Sequence, residues 1–123
     1  MIMRTLIVDD EAPARERLKR YLANLDGVEV IGEAKDGVQA VEMIEAWSPD
    51  LVLLDIQMPE LDGFGVIEAL EDPPAIIFVT AYDQYAIRAF EVHALDYLLK
   101  PFSQQRLAKA IHRARKALVE GKD

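Results

Sequence analysis

Leu51-Val52-Leu53-Leu54-Asp55 is the stretch on which the fold turns. Four apolar residues in a row, without the alternation of a half-exposed strand, describe a strand buried on both faces, as in a parallel sheet. The run stops on a carboxylate. Comparable runs lie on either side: Thr5-Leu6-Ile7-Val8, Val28-Glu29-Val30-Ile31, Ala75-Ile76-Ile77-Phe78-Val79 and residues 95–99. Between them, apolar residues recur at helical spacing. Ala14, Leu18, Leu22 and Leu25 form one such face, and Val38, Val41 and Ile44 a second. Ile67 with Leu70, the segment 85–92, and Leu107, Ile111, Ala114 and Leu118 complete the set. Asp26-Gly27, Ser48-Pro49 and Pro73-Pro74 break the helices where the next strand must start. Five strand–helix repeats with right-handed crossovers make a three-layer α/β sandwich, without internal boundary, repeat or low-complexity tract.

With 123 residues, 51% of them hydrophobic and 29% charged, the chain has the composition of one ordinary globular domain. It contains no cysteine, which excludes disulfides, thiolate metal sites and cysteine nucleophiles. No apolar run approaches the roughly 18 residues of a membrane helix and no signal peptide opens the chain, so a cytoplasmic domain without membrane partners is expected. The net charge of −8 is unevenly spread: residues 1–99 carry 7 basic and 20 acidic side chains, residues 100–123 carry 7 basic and 2 acidic. An acidic body repels a phosphate backbone, so direct nucleic-acid binding by this domain is not expected. The basic end reads as one helix with Lys and Arg toward its C-terminus.

In open α/β sheets the chemistry collects beyond the carboxyl ends of the strands. Those positions hold Asp9-Asp10-Glu11, Asp55, Thr80-Ala81 and Lys100-Pro101. Singly, each is ordinary turn or capping chemistry. Together they put several carboxylates, a hydroxyl and an ammonium on one rim. Two carboxylates about 5 Å apart repel by roughly 3 kcal/mol at an effective dielectric of about 20. Lys100 offsets part of this, and a divalent cation would offset more. Hard oxygen donors without His or Cys suit Mg²⁺ and exclude a zinc-type site. A carboxylate beside Mg²⁺ is a candidate nucleophile toward phosphorus, with Thr80 and Lys100 placed to hold the other phosphoryl oxygens.

These residues give the chain its likeness. Asp9-Asp10, Asp55 followed by Met58-Pro59 and Asp62-Gly63, Thr80-Ala81, and Asp96-Tyr97 before Lys100-Pro101-Phe102 are its motifs. On them, the chain resembles the receiver domain of two-component response regulators over essentially its full length. The resemblance implies a flavodoxin-like (βα)5 fold with strand order 2-1-3-4-5. It implies that Asp55 is the phosphoacceptor, that Asp10 and Asp55 ligate Mg²⁺ directly, and that Asp9 acts largely through water. Gln57 would contribute its backbone carbonyl to the metal. Thr80 and Lys100 would contact the phosphoryl group, Lys100-Pro101 would be a cis peptide, and Tyr97 would be an aromatic switch that follows Thr80. Gln57 and Tyr82 flank the path of the hydrolytic water, so they should tune the lifetime of the phosphorylated state.

The stretch from Thr80 to Phe102 is similar to receivers of LytTR-type transcriptional regulators, in which a DNA-binding domain follows. Residues 1–119 are then the receiver, and 120–123 the start of a linker to an output domain missing from these residues. The expected donor is a sensor histidine kinase. Beyond accepting the group from small phosphodonors and losing it again, no enzymatic activity is expected. The changing surface would be the fourth helix, fifth strand and fifth helix, where Ile87 and Phe90 offer apolar contacts. Asp83, Glu91 and Asp96 could there meet Lys109 and Arg113 across a two-fold homodimer. A stand-alone receiver that docks on a partner protein is the alternative. An aspartate-nucleophile phosphatase is the rival of another class, but it wants a second acid two residues after the nucleophile, where Gln57 stands. A flavodoxin would need a Ser/Thr/Gly phosphate cradle where Asp9-Asp10-Glu11 stand. Trp47 reads as packing, and His93 and His112 as surface residues without metal spacing.

Overall fold

Five parallel strands, β1 (Met3–Val8), β2 (Val28–Ala34), β3 (Leu51–Leu54), β4 (Ala75–Thr80) and β5 (Asp96–Leu99), form one sheet in the order β2-β1-β3-β4-β5. The computed structural model describes residues 1–121. Helices α1 (Ala12–Ala23), α2 (Gly37–Trp47), α3 (Gly63–Ala69), α4 (Ala86–Glu91) and α5 (Gln104–Glu120) alternate with the strands. Among these residues no helix is long and apolar enough to cross a membrane. Glu120 closes α5, whereas Lys122 and Asp123 of the expected linker lie outside the described residues.

Strand residues divide by the period of two. Leu6, Val8, Val52, Leu54, Ile76 and Phe78 join one core with α2, α3 and α4 residues such as Ile44, Phe64 and Ala89. Ile7, Leu51, Leu53, Ile77 and Val79 join the other, with Leu18 and Leu22 of α1 and Leu107 and Ile111 of α5. Both faces of the central strands are therefore dry, as their unbroken apolar runs required.

The structure differs from the sequence reading in detail. β1 starts two residues early, at Met3, and β2 runs on to Ala34 because its pairing with β1 continues through Val8↔Ala34. A register shift between Thr5 and Leu6 leaves Ile31, the last residue of the expected strand, without a partner, and pairing resumes at Leu6↔Gly32. On α2, Ile44 is buried and Val41 packs against the same core as expected, but Val38 is exposed and Gly37 and Ala40 point inward in its place. Close packing puts Gly37 at the inward position, since a Cβ there would overlap the Leu61 carbonyl oxygen. Trp47 is partly exposed and lies against Gly32 of β2. His93 and His112 are exposed as expected.

Candidate functional site

The parallel sheet puts the carboxyl ends of β1, β3, β4 and β5 on one edge. Asp9 directly follows β1, with its N–H donating to the Ala34 carbonyl at 3.1 Å, and Asp55 follows β3, donating to the Val8 carbonyl at 3.0 Å. Both side chains are buried, Asp9 at 1% and Asp55 at 7% exposure, and buried charge needs partners. Lys100 Nζ supplies them, at 2.7 Å from Asp9 Oδ2 and 3.4 Å from Asp55 Oδ2. The remaining oxygens take backbone donors: Glu11 N–H to Asp9 Oδ1 at 2.9 Å, Ile56 N–H to Asp55 Oδ1 at 2.7 Å. Asp10, the third acid, is exposed. Thr80 ends β4 fully buried, and its carbonyl accepts the Lys100 N–H at 2.8 Å, which ties the ammonium's backbone to the hydroxyl's. Its Oγ1 accepts only a long 3.3 Å bond from Tyr82 N–H. The Lys100–Pro101 peptide is cis.

Gly63 sets the loop after Asp55. Its N–H donates to the Ile56 carbonyl at 2.8 Å, and a Cβ there would lie 2.6 Å from the Asp55 carbonyl oxygen. Asp62 caps α3, its side chain accepting from Gly65 N–H at 2.8 Å. Gly63→Ala is expected to destabilise the fold by about 1–3 kcal/mol, the cost of overpacking against backbone. Chemical denaturation checks this; unchanged stability would mean that α3 is free to retreat.

The charges are unequally compensated. Burial pushes the Asp55 carboxyl up from 3.8 to about 6; the Lys100 charge pulls it back and Asp9 pushes it further up. Burial also disfavours the Lys100 ammonium, but the hydrogen bond to Asp9 and the Asp55 charge outweigh this, and its pKa is raised. One cation thus serves a site in which Asp9, Asp10 and Asp55 each offer an oxygen within 4.8 Å of the others. An all-oxygen donor set short of positive charge, opening on a cleft of about 300 Å³ between Asp10, Gln57, Tyr82 and Lys100, fits a hard divalent cation such as Mg²⁺.

The remaining expected residues fall around this cleft. Gln57 is exposed, and its side-chain amide donates to Tyr85 Oη at 2.9 Å. Tyr97 is half-buried against Phe78, ring centroids 6.4 Å apart, and its hydroxyl donates to the Tyr82 carbonyl. Burial raises its pKa. Ile87 and Phe90 are 77% and 81% exposed, and Glu91, Lys109 and Arg113 are exposed too. Asp96 is held inside the chain by both terminal nitrogens of Arg106, at 2.7 and 3.0 Å, with Arg113 at 3.5 Å. Sequence reasoning missed Arg106, and also Arg15, which donates to the Asp9 carbonyl at 2.9 Å. Neither contact follows a helical or strand period.

Residues 5–112 match the response regulator receiver domain, and the chain belongs to that family. It is 47% identical over 116 residues to the transcriptional regulatory protein BtsR of Salmonella typhi, covering 93% of this chain and 48% of BtsR. To the sensory transduction protein LytT of Bacillus cereus it is 45% identical over 118 residues, 94% of this chain and 48% of LytT. The chain therefore spans about half the length of the curated relatives it matches. The receiver (REC) domain of AraT from Geobacillus stearothermophilus superimposes with a TM-score of 0.88 at 31% identity, covering 100% of both chains. The fold is thus the flavodoxin-like receiver fold, with the strand order that the resemblance implied.

Proposed function

We propose that this domain is a phosphorylation switch in which Asp55 accepts a phosphoryl group from a sensor histidine kinase. The observation that carries the reading is Lys100 Nζ set between two buried carboxylates, Asp9 and Asp55, at the mouth of the cleft. An Asp55 oxygen attacks the phosphorus of a phosphohistidine, the O–P bond forms as the N–P bond breaks, and the electron pair leaves with the imidazole nitrogen. Lys100 turns from Asp55 toward a phosphoryl oxygen. The Thr80 hydroxyl, which accepts only a long bond from Tyr82 N–H, donates its own proton to another phosphoryl oxygen. Asp10, Asp55 and the Gln57 carbonyl would hold Mg²⁺, with Asp9 acting through water. Mg²⁺ supplies the positive charge that shields incoming phosphoryl oxygens from the carboxylates.

The readout follows from two-state contacts: a phosphoryl group meets Thr80 and Lys100 only in the form it favours. Tyr97 then follows Thr80, and the α4, β5 and α5 surface changes. In a longer protein this surface would govern a DNA-binding output domain beyond residues 1–119, a reading in line with relatives about twice as long that are named transcriptional regulatory proteins. A stand-alone receiver docking on a partner is the second reading. The phosphatase reading is weaker, since Gln57 occupies the position of its acid and is engaged with Tyr85.

Acetyl phosphate with Mg²⁺ is expected to add one phosphoryl group by intact mass, and EDTA to suppress the gain. Steady hydrolysis of the donor with no adduct would favour the phosphatase. The phosphorylated form, or the form bound to beryllofluoride, is expected to dimerise weakly through Ile87 and Phe90. Sedimentation of the wild type and Phe90→Asp checks this: the wild type should shift and the variant should not.

A further inference from the structure

Arg15 lies outside the cleft, yet it touches the backbone of the acidic pair. Its side chain is only 18% exposed; one terminal nitrogen donates to the Asp9 carbonyl at 2.9 Å, and Nε donates to Glu33 Oε1, also at 2.9 Å. That carbonyl belongs to the peptide unit whose other end is the Asp10 nitrogen. The preceding peptide is fixed as well, since Asp9 N–H donates to the carbonyl of Ala34, the residue after Glu33. Asp9 has further anchors in Lys100 and the Glu11 N–H. Asp10 is exposed, so the direction of its carboxylate rests on its backbone. The guanidinium is suited to this task because its planar fork holds two acceptors at once. Lys19 pairs with the same Glu33 at 2.7 Å as a point charge.

We propose that Arg15, anchored by Glu33 of β2, is a positioning residue that orients the Asp9–Asp10 peptide so that the Asp10 carboxylate faces the divalent cation. The inference rests on the reading of the acidic cluster as a Mg²⁺ site. Metal sites commonly depend on partners that orient their ligands, and losing one costs about 10–100-fold in affinity.

Charge and position predict opposite signs here. Removing a cation that sits against the Asp9 backbone, beside the acidic cluster, should tighten Mg²⁺ binding if only its charge matters. If Arg15 positions the Asp10 backbone, removing it should weaken binding.

Calorimetric Mg²⁺ titration of Arg15→Met is expected to show about tenfold weaker binding, at the lower end of that range. The Mg²⁺ concentration for half-maximal phosphoryl incorporation should rise in parallel. Arg15→Lys keeps the charge and loses the fork, and it should also weaken binding; this variant carries the test if Arg15→Met folds poorly. Lys19→Met should bind as tightly as the wild type or more tightly. Equal or tighter binding by both Arg15 variants would overturn the positioning role while leaving the site intact. Failure of the wild type to bind Mg²⁺ would overturn the site and the role together.

Discussion

Lys100→Ala is expected to cost about 3 kcal/mol of stability at neutral pH in the absence of metal, at the lower end of the 3–5 kcal/mol for breaking a buried ion pair. The lower end applies because the ammonium is 22% exposed and some solvent can replace it. Its loss leaves Asp9 and Asp55 facing one another with no cation between them. Lowering the pH toward 5 should narrow the deficit, because Asp55, already raised to about 6, is protonated more readily without Lys100. Mg²⁺ should narrow it as well, because the folded variant, without the competing ammonium, binds the cation more tightly than the wild type does. Phosphoryl incorporation should slow by about 10²–10³-fold, the usual cost of removing one donor from developing charge. Denaturation at two pH values and a timed incorporation assay measure both effects. A variant as stable and as fast as the wild type would mean that Lys100 is a bystander.

Asp55→Asn should act in the opposite direction on stability. A carboxyl whose pKa rises from 3.8 to about 6 on folding binds protons better in the native state than in the unfolded chain. Its ionisation therefore opposes folding. The cost is absent below about pH 4, grows as pH rises, and is fully present above about pH 6. A shift of about two units sets its ceiling at about 3 kcal/mol. In EDTA at pH 8 the amide variant should be the more stable protein, and at pH 4 the two should converge. Saturating Mg²⁺ should reduce the difference, because the wild type recovers through the metal what burial of its charge cost. Parallel stability profiles from pH 4 to 8 would contradict this description of Asp55.

The architecture was legible because its strands are short apolar runs, and each of four ends on a chemically distinct residue. The positions of Asp9, Asp55, Thr80 and Lys100 after these runs put them on one edge, and the structure gathers them there. The apolar run of β2 ends at Ile31, although the strand itself goes on to Ala34. Its continuation depends on pairing with β1 and on Arg15 and Lys19 satisfying Glu33, contacts that leave no local pattern. Two of the three residues expected on the inner face of α2, Val41 and Ile44, do pack inward, but Val38 is exposed, because the close approach of Leu61 puts Gly37, which has no side chain, there instead. The pairing of Asp96 with Arg106 was hidden for a similar reason. A strand residue and a helix residue ten positions later meet only after the chain has turned through Pro101.

The most direct test of Asp55 as the phosphoryl acceptor is intact mass after incubation with acetyl phosphate and Mg²⁺, on the wild type and on Asp55→Asn. The wild type should gain one phosphoryl group and lose it to hydroxylamine, as an acyl phosphate does, while Asp55→Asn gains none. An equal gain in Asp55→Asn, or an adduct that resists hydroxylamine, would move the acceptor to another residue.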